Sequence, residues 1–280
     1  MLVCVLGSGS SGNATYVASE TTRLLVDCGL PARDIIDRLA ELDVGPATLN
    51  AILITHAHTD HYKSSGTMQA RFGVKVFTEP LTLATIRAAG SPCSFGRVTS
   101  CKGVPRKIGD IEVDTFPVPH GAPGAAGQPV GYVLKHGREK VTVTTDLGRV
   151  SEGTARALKG SDIIVIEANY HEPILRKKLK DTRYRMFWPY LKWVDSNMGH
   201  LSNTQCGTAL ADIMTERTGH VFPAHISENH EDPDQDNNRY DLAYSEIRAI
   251  LKDRDVPMPK IHRTYRNGKI EGRMSEAVSV

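Results

Sequence analysis

The chain has 280 residues, is 40% hydrophobic and carries 34 basic against 32 acidic residues, a formal net charge of +2. That length accommodates a sizeable core in one large domain or two small ones, and the near balance of charge excludes binding to polyanions through global attraction, leaving local clusters to do it. No stretch approaches the roughly 20 apolar residues of a membrane span, and Met1 to Leu6 runs straight into Gly7-Ser8-Gly9-Ser10 without a basic segment before it, so the expectation is a cytoplasmic protein with no membrane partner.

Val3-Cys4-Val5-Leu6, Ala14-Thr15-Tyr16-Val17 and Leu24-Leu25-Val26-Asp27 read as short opening strands, the first two split by the Gly/Ser turn Gly7 to Asn13. That turn admits two compatible readings, a tight hairpin and a set of N–H groups that cradle a phosphate. Pro31 to Leu42, with Ile35, Ile36, Leu39 and Leu42 and a proline in its first turn, predicts a helix. The apolar run Ala51-Ile52-Leu53-Ile54 then empties into Thr55-His56-Ala57-His58-Thr59-Asp60-His61. Imidazoles held this close repel when protonated and waste donors when neutral and dry, and a divalent cation resolves both problems. With no thiolate in the cluster, Zn²⁺ suits it, with Mn²⁺ or Fe²⁺ as alternatives. His56 and His58 alternate along extended backbone and share a side; Asp60 and His61 lie past the strand end, where the chain can turn, so two metals are read. The bland alternative is a polar strand-to-loop junction with incidental histidines.

Further strands are expected at Val74 to Phe77, Ile111 to Val113 and Gly131 to Leu134, with a buried one at Asp162 to Ile166, alternating with helices. Strands followed by a helix, repeated in two halves with histidines at strand ends, predict α/β layering with ligands gathered along one edge. Gly121 to Gln128 belongs to a Gly/Pro/Ala-rich loop. No composition shift marks a boundary, so residues 1–273 are expected to form one domain and 274–280 a frayed tail. Cys4, Cys28, Cys93, Cys101 and Cys206 are odd in number, scattered and without a CxxC pair, which favours reduced thiols over a disulfide framework and leaves Cys93 and Cys101 without partners for a metal.

Between Arg176 and Trp193 lie Arg176, Lys177, Lys178, Lys180, Arg183, Arg185 and Lys192 against one acid, Asp181, interleaved with Tyr184, Phe187, Trp188, Tyr190 and Trp193. Cations neutralise phosphates and aromatic faces stack on bases, so Arg176, Lys177, Lys178, Lys180, Arg183, Arg185 and Trp188 are candidate nucleic-acid contacts. The alternatives are a helix that packs Phe187, Tyr190 and Leu191 on the core beneath a solvated basic face, and a dimer contact.

His56-x-His58-x-Asp60-His61 resembles the signature of the metallo-β-lactamase fold, which implies an α/β (α+β) chain folded as an αββα sandwich of two mixed β-sheets flanked by helices. The resemblance implies three further ligands at strand ends: His120 after Thr115-Phe116-Pro117-Val118-Pro119, Asp146 after Val143-Thr144-Thr145, and His225 after Val221-Phe222-Pro223-Ala224. By that correspondence His56, His58 and His120 hold one metal, Asp60, His61 and His225 the other, and Asp146 bridges them, giving two divalent ions per chain, Zn or Mn. A carboxylate also makes chemical sense as a bridge, because it lowers the net charge of the pair. Gly7 to Asn13, Leu25 to Gly29, Thr144 to Gly148, Glu167-Ala168-Asn169-Tyr170 and Gly199-His200-Leu201-Ser202-Asn203 together look like the YycJ (WalJ) branch of that superfamily. Gly121 to Gln128 and the segment after His171 lie outside the matching stretches.

Since a fold hosts many reactions, these narrower matches carry the functional expectation. They imply a DNA exonuclease acting 5′ to 3′, with nucleic acid as partner, Asp60 handling the proton of the nucleophile and His200 protonating the leaving oxygen. A plain reading of His200 is a neighbour of a helix capped by Ser202 or Asn203. The enzymatic rivals are a small-molecule phosphodiesterase and a thioester hydrolase of the hydroxyacylglutathione type; the rival from another class is a metal-stabilised nucleic-acid-binding protein without activity.

Overall fold

The computed structural model describes residues 1–90, 98–99, 106–122, 124–187, 190–227, 239–265 and 274–280, without the side chains of Val98, Thr99, Arg106, Arg185, Phe187 and Arg239. The first half of the chain supplies strands β1 (Leu2–Gly7), β2 (Ala14–Ala18), β3 (Arg23–Val26), β4 (Ala51–Leu53), β5 (Lys75–Phe77) and β6 (Val98–Thr99), with helices α1 (Ala32–Ala40), α2 (Thr59–Tyr62), α3 (Ser65–Phe72) and α4 (Pro80–Ala88). The second half supplies β7 (Arg106–Ile108), β8 (Ile111–Pro117), β9 (Val130–His136), β10 (Glu139–Thr144), β11 (Ile163–Glu167), β12 (His220–Ala224) and β13 (Lys260–Ile261). Its helices are α5 (Glu152–Leu158), α6 (Glu172–Lys180), α7 (Thr182–Phe187), α8 (Leu191–Val194), α9 (Asn203–Ile213) and α10 (Arg239–Asp253), and β14 (Val278–Ser279) closes the chain.

Each half supplies one mixed sheet, except that the closing strand β14 joins the first. Strand order is β14-β1-β2-β3-β4-β5-β6 in the first and β13-β12-β11-β10-β9-β8-β7 in the second. The hairpin-linked strands pair antiparallel, whereas β3-β4-β5 and β10-β11-β12-β13 pair parallel because helical crossovers join them. Alternation then decides the layers. Leu24 and Val26 of β3 meet Ile163 and Val165 of β11 in a core between the sheets. Their alternates turn outward: Leu25 joins Ile35 and Leu39 of α1, and Ile164 and Ile166 join Leu210 of α9 and Ile247 of α10. The result is the expected four-layer α-β-β-α sandwich.

The tail departs from expectation. Residues 274–280 do not fray: Val278 and Ser279 pair with Val3 and Leu2 of β1, and Ser275 exchanges hydrogen bonds with the Val5 backbone. The unpaired outer edge of β1 offers a row of N–H and C=O groups that the C-terminus satisfies. Cys4, Cys28 and Cys206 are free and buried; Cys93 and Cys101 lie outside the described residues. Among the described residues no helix is long and apolar enough to cross a membrane.

Candidate metal centre

Parallel strands deliver their C-terminal ends to one edge, and the polar residues that follow them meet there. β3 leads to Asp27, β4 leads into His56, His58 and α2, β8 leads to His120, β10 to Asp146, β11 ends at Glu167 and β12 leads to His225. Asp27, Asp146 and His225 have φ of 62°, 56° and 52°, left-handed backbone that Asp and His tolerate better than most residues and that concentrates at functional sites. Gly29 lets the Asp27 loop lie directly on α2: a Cβ there would sit 1.5 Å from the Asp60 carbonyl oxygen, so only glycine fits.

The histidines converge with a defined pattern of ring nitrogens. His56 Nδ1 lies 3.0 Å from Thr55 Oγ1, which itself donates to Asp27. His61 Nδ1 lies 2.7 Å from Asp27 Oδ2, His120 Nδ1 2.8 Å from the Gly199 carbonyl, and His225 Nδ1 2.9 Å from Glu167 Oε1. Each of these outer contacts fixes the proton on Nδ1 and leaves Nε2 facing inward. His58 presents Nδ1 instead, 2.9 Å from His56 Nε2 and 3.2 Å from His120 Nε2. Three nitrogen lone pairs thus point at one spot. Around the second spot, His61 Nε2 lies 3.3 Å from Asp60 Oδ2 and 3.0 Å from Asp146 Oδ2, and His225 Nε2 lies 3.4 Å from both Asp60 Oδ2 and Asp146 Oδ1.

Protonation follows this geometry. Burial holds His56 and His58 below the ordinary imidazole range, with His61 pushing His56 the same way, and burial lowers His120 to about 4; all three are neutral donors. Burial also opposes charge on His61 and His225, but the carboxylates outweigh it: Asp146, Asp60 and Asp27 raise His61 well above its usual range, and Asp146 with Asp60 and Glu167 raises His225 to about 10. Conversely, burial works against ionised Asp60 and Asp146, yet His61 for the first and His225 with His61 for the second hold both carboxyls well below their usual range. Asp146 Oδ2 is buried and takes no well-formed hydrogen bond.

Converging lone pairs and ionised carboxylates that draw positive charge fit divalent cations. His56, His58, His120 and Asp146 can hold one; Asp60, His61 and His225 form a second donor group, and Asp146, Glu167, His200 and His225 a third. All seven ligand positions expected from the sequence therefore come together. His200 joins them: its Nδ1 lies 2.7 Å from Glu167 Oε1 and 3.7 Å from Asp146 Oδ1, and its ring stacks on His225 at 5.2 Å. The helix beside it is capped by Ser202, as the plain reading of His200 has it, with Gln205 completing the capping box of α9.

Three positions that the sequence reading names without a place in the site belong to it. Asp27 orders His61 and, through Thr55, His56; Glu167 orders His200 and His225; and Trp193 packs its ring 5.5 Å from His120 and 5.3 Å from His200. Asp27 and Glu167 lie at the ends of apolar strands, in stretches that carry the family resemblance as the one around Asp146 does. The Gly7 to Asn13 turn serves as a tight brace: the amides of Ser8, Gly9, Gly12 and Asn13 all donate within the protein.

The basic segment is less open than its composition. Lys178 is buried on the face of α6 shared with Ile174 and Leu175 and lies over the Tyr184 ring. Arg176 pairs with Glu172 and Arg183 with Asp181. Lys177 and Lys180 are exposed; the Arg185 side chain and Trp188 lie outside the described residues. Tyr184 and Trp193 pack on Tyr170, Leu175, Leu191 and Val194.

A family model described as the beta-lactamase superfamily domain matches residues 22–226. Exodeoxyribonuclease YycJ of Bacillus anthracis is 31% identical over 253 residues, 89% of this chain and 89% of the relative. Exodeoxyribonuclease WalJ of Streptococcus pneumoniae is 31% identical over 267 residues, 93% and 92% of the two chains. Among solved structures, Zn²⁺-bound PqqB from Methylobacterium extorquens superposes with a TM-score of 0.66 at 16% identity over the whole of both chains, a likeness of fold. The chain belongs to the β-lactamase superfamily and, within it, to the YycJ/WalJ family of metal-dependent hydrolases.

Proposed function

We propose that the chain is a binuclear phosphodiesterase that digests DNA from a 5′ end. The observation that carries this reading is His200, an ionisable ring placed on the ligand edge and anchored by Glu167. The names of the YycJ and WalJ relatives support it.

His56, His58 and His120 would hold one cation, Asp60, His61 and His225 the other, with Asp146 between them; such cations, Zn²⁺ or Mn²⁺, supply Lewis acidity toward phosphoryl oxygens and a water of lowered pKa. Asp60, partly exposed at the mouth of the site, orients the attacking water and accepts its proton. Glu167 accepts from His200 Nδ1 at 2.7 Å and keeps the ring of this proton donor in register. When the bond from phosphorus to the leaving oxygen breaks, His200 delivers a proton from Nε2 to that oxygen. Asp60 and His200 are thus the proposed catalytic residues, and Arg176, Lys177 and Lys180, exposed on α6, the candidate contacts for further phosphates. The pairing of Arg176 and Arg183 and the burial of Lys178 favour one rival, a phosphodiesterase of small substrates.

Incubation of metal-loaded protein with 5′- and 3′-labelled single-stranded DNA, duplex DNA and RNA tests the proposal. Early release of labelled mononucleotide from the 5′ end of DNA is expected. Hydrolysis of a chromogenic phosphodiester with all polymers intact would replace it with the small-molecule reading, and binding without cleavage would replace it with the non-catalytic one.

A further inference from the structure

We infer that Asn13 is a positioning residue for one cation position only, the group Asp60, His61 and His225, which it secures from both sheets at once. The inference rests on the two-cation reading above. Asn13 lies in the turn between β1 and β2 and is buried, as is Ser8. Its orientation follows from its partners. Oδ1 accepts from the Ser8 hydroxyl and the Gly9 amide, each at 3.0 Å, which places Nδ2 toward the Gly9 carbonyl at 3.1 Å, His61 Nε2 at 3.1 Å and Asp60 Oδ2 at 3.4 Å. The Asn13 amide donates to the Asp60 carbonyl at 2.8 Å, and its own carbonyl accepts from Gly29. These contacts hold the backbone and the carboxylate of α2, a helix of four residues too short to be rigid alone.

The other side of the position is reached through Ser8. Its hydroxyl donates to Asn13 and accepts from the His225 amide at 2.7 Å. His225 belongs to the second sheet, and its φ of 52° requires outside support. One amide and one hydroxyl thus link Asp60 and His61 with His225, three groups whose spacing a cation senses directly. No hydrogen bond from Ser8 or Asn13 reaches His56, His58 or His120 among the described residues, so the brace acts on one position and spares the other.

Partners of ligands commonly tune metal affinity by about 10–100-fold. The test is a titration of metal-stripped protein with Zn²⁺ against a chromophoric chelator. The wild-type chain is expected to bind two equivalents. Asn13→Ala should bind the first unchanged and the second about 10–100-fold more weakly. Ser8→Ala, a smaller change that still removes the link to His225, should shift the same equivalent in the same direction and covers the case in which Asn13→Ala fails to fold. Equal weakening of both equivalents would reduce Asn13 to a fold-stabilising residue, and an unchanged second equivalent in both variants would overturn the inference. A wild-type chain that binds a single equivalent would instead sink the two-cation reading itself.

Discussion

Replacing Glu167 by glutamine removes one acceptor from a fully buried carboxylate that uses four hydrogen bonds. Oε1 accepts from His200 Nδ1 at 2.7 Å and His225 Nδ1 at 2.9 Å; Oε2 accepts from the amides of Leu147 at 2.8 Å and Leu201 at 3.1 Å. Glutamine offers one oxygen and one NH₂, so its NH₂ must face either two imidazole N–H groups or two backbone N–H groups. Backbone donors cannot adapt, whereas imidazoles can move their proton, so the amide oxygen settles on Leu147 and Leu201 and the histidines shift to Nε2–H. Two hydrogen bonds to a charged acceptor, worth about 1.5–3 kcal/mol each, are lost, an upper bound of about 3–6 kcal/mol before the new tautomers recover part of it. Each kcal/mol lowers the unfolding midpoint by about 2–4 °C in chains of this order of size. His225 and His200 would then both lose the carboxylate that orients their rings through Nδ1. Elemental analysis should find weakened metal retention, thermal unfolding in chelator a lower midpoint, and turnover on DNA a fall of about 10²–10⁴-fold. A Glu167→Gln protein with wild-type metal content and turnover would refute the reasoning.

His200→Ala should reduce turnover by about 10²–10⁴-fold with metal content intact; unchanged turnover would remove His200 from the chemistry. Glutamate at both Lys177 and Lys180 should weaken DNA binding and reduce its logarithmic salt slope by about 1–2, while hydrolysis of a single chromogenic phosphodiester stays the same; an unaltered slope would make this face solvated surface. Burial, with His220 at 2.8 Å, lowers the His262 imidazole to about 4, so the unfolded chain takes up its proton first, and stability should decline as pH falls from about 6.5 to about 4. His262→Phe, a ring replacing a ring stacked on Phe222, should flatten unfolding midpoints over that window.

How much of this was legible in the sequence depends on how local the cause is. His56 to His61 announce themselves because side chains of one chemistry share one short stretch, whereas His120, Asp146 and His225 were legible only through the family resemblance, since a lone His or Asp after an apolar strand is more often a loop residue. Asp27 and Glu167 carry the same strand-end signal, but they touch other side chains rather than a cation, and that relation exists only after β3, β11 and their neighbours align. The basic segment misled by count. Ile174, Leu175 and Lys178 share one helical face, which a wheel over Glu172 to Lys180 reveals, so Lys178 buries its stem and meets Tyr184. The tail was misread for a different reason: Val278 pairs with Val3 across almost the whole chain, and no local pattern encodes an edge strand's need for a partner.

Dependence of DNA degradation on bound cations tests the central claim most directly. Metal-stripped protein is expected to leave end-labelled DNA intact, to gain activity as Zn²⁺ or Mn²⁺ is added, and to reach full activity at two ions per chain, while Asp146→Ala loses most of one ion and the activity with it. Undiminished degradation in excess chelator, or full activity with a single tightly held ion, would contradict it.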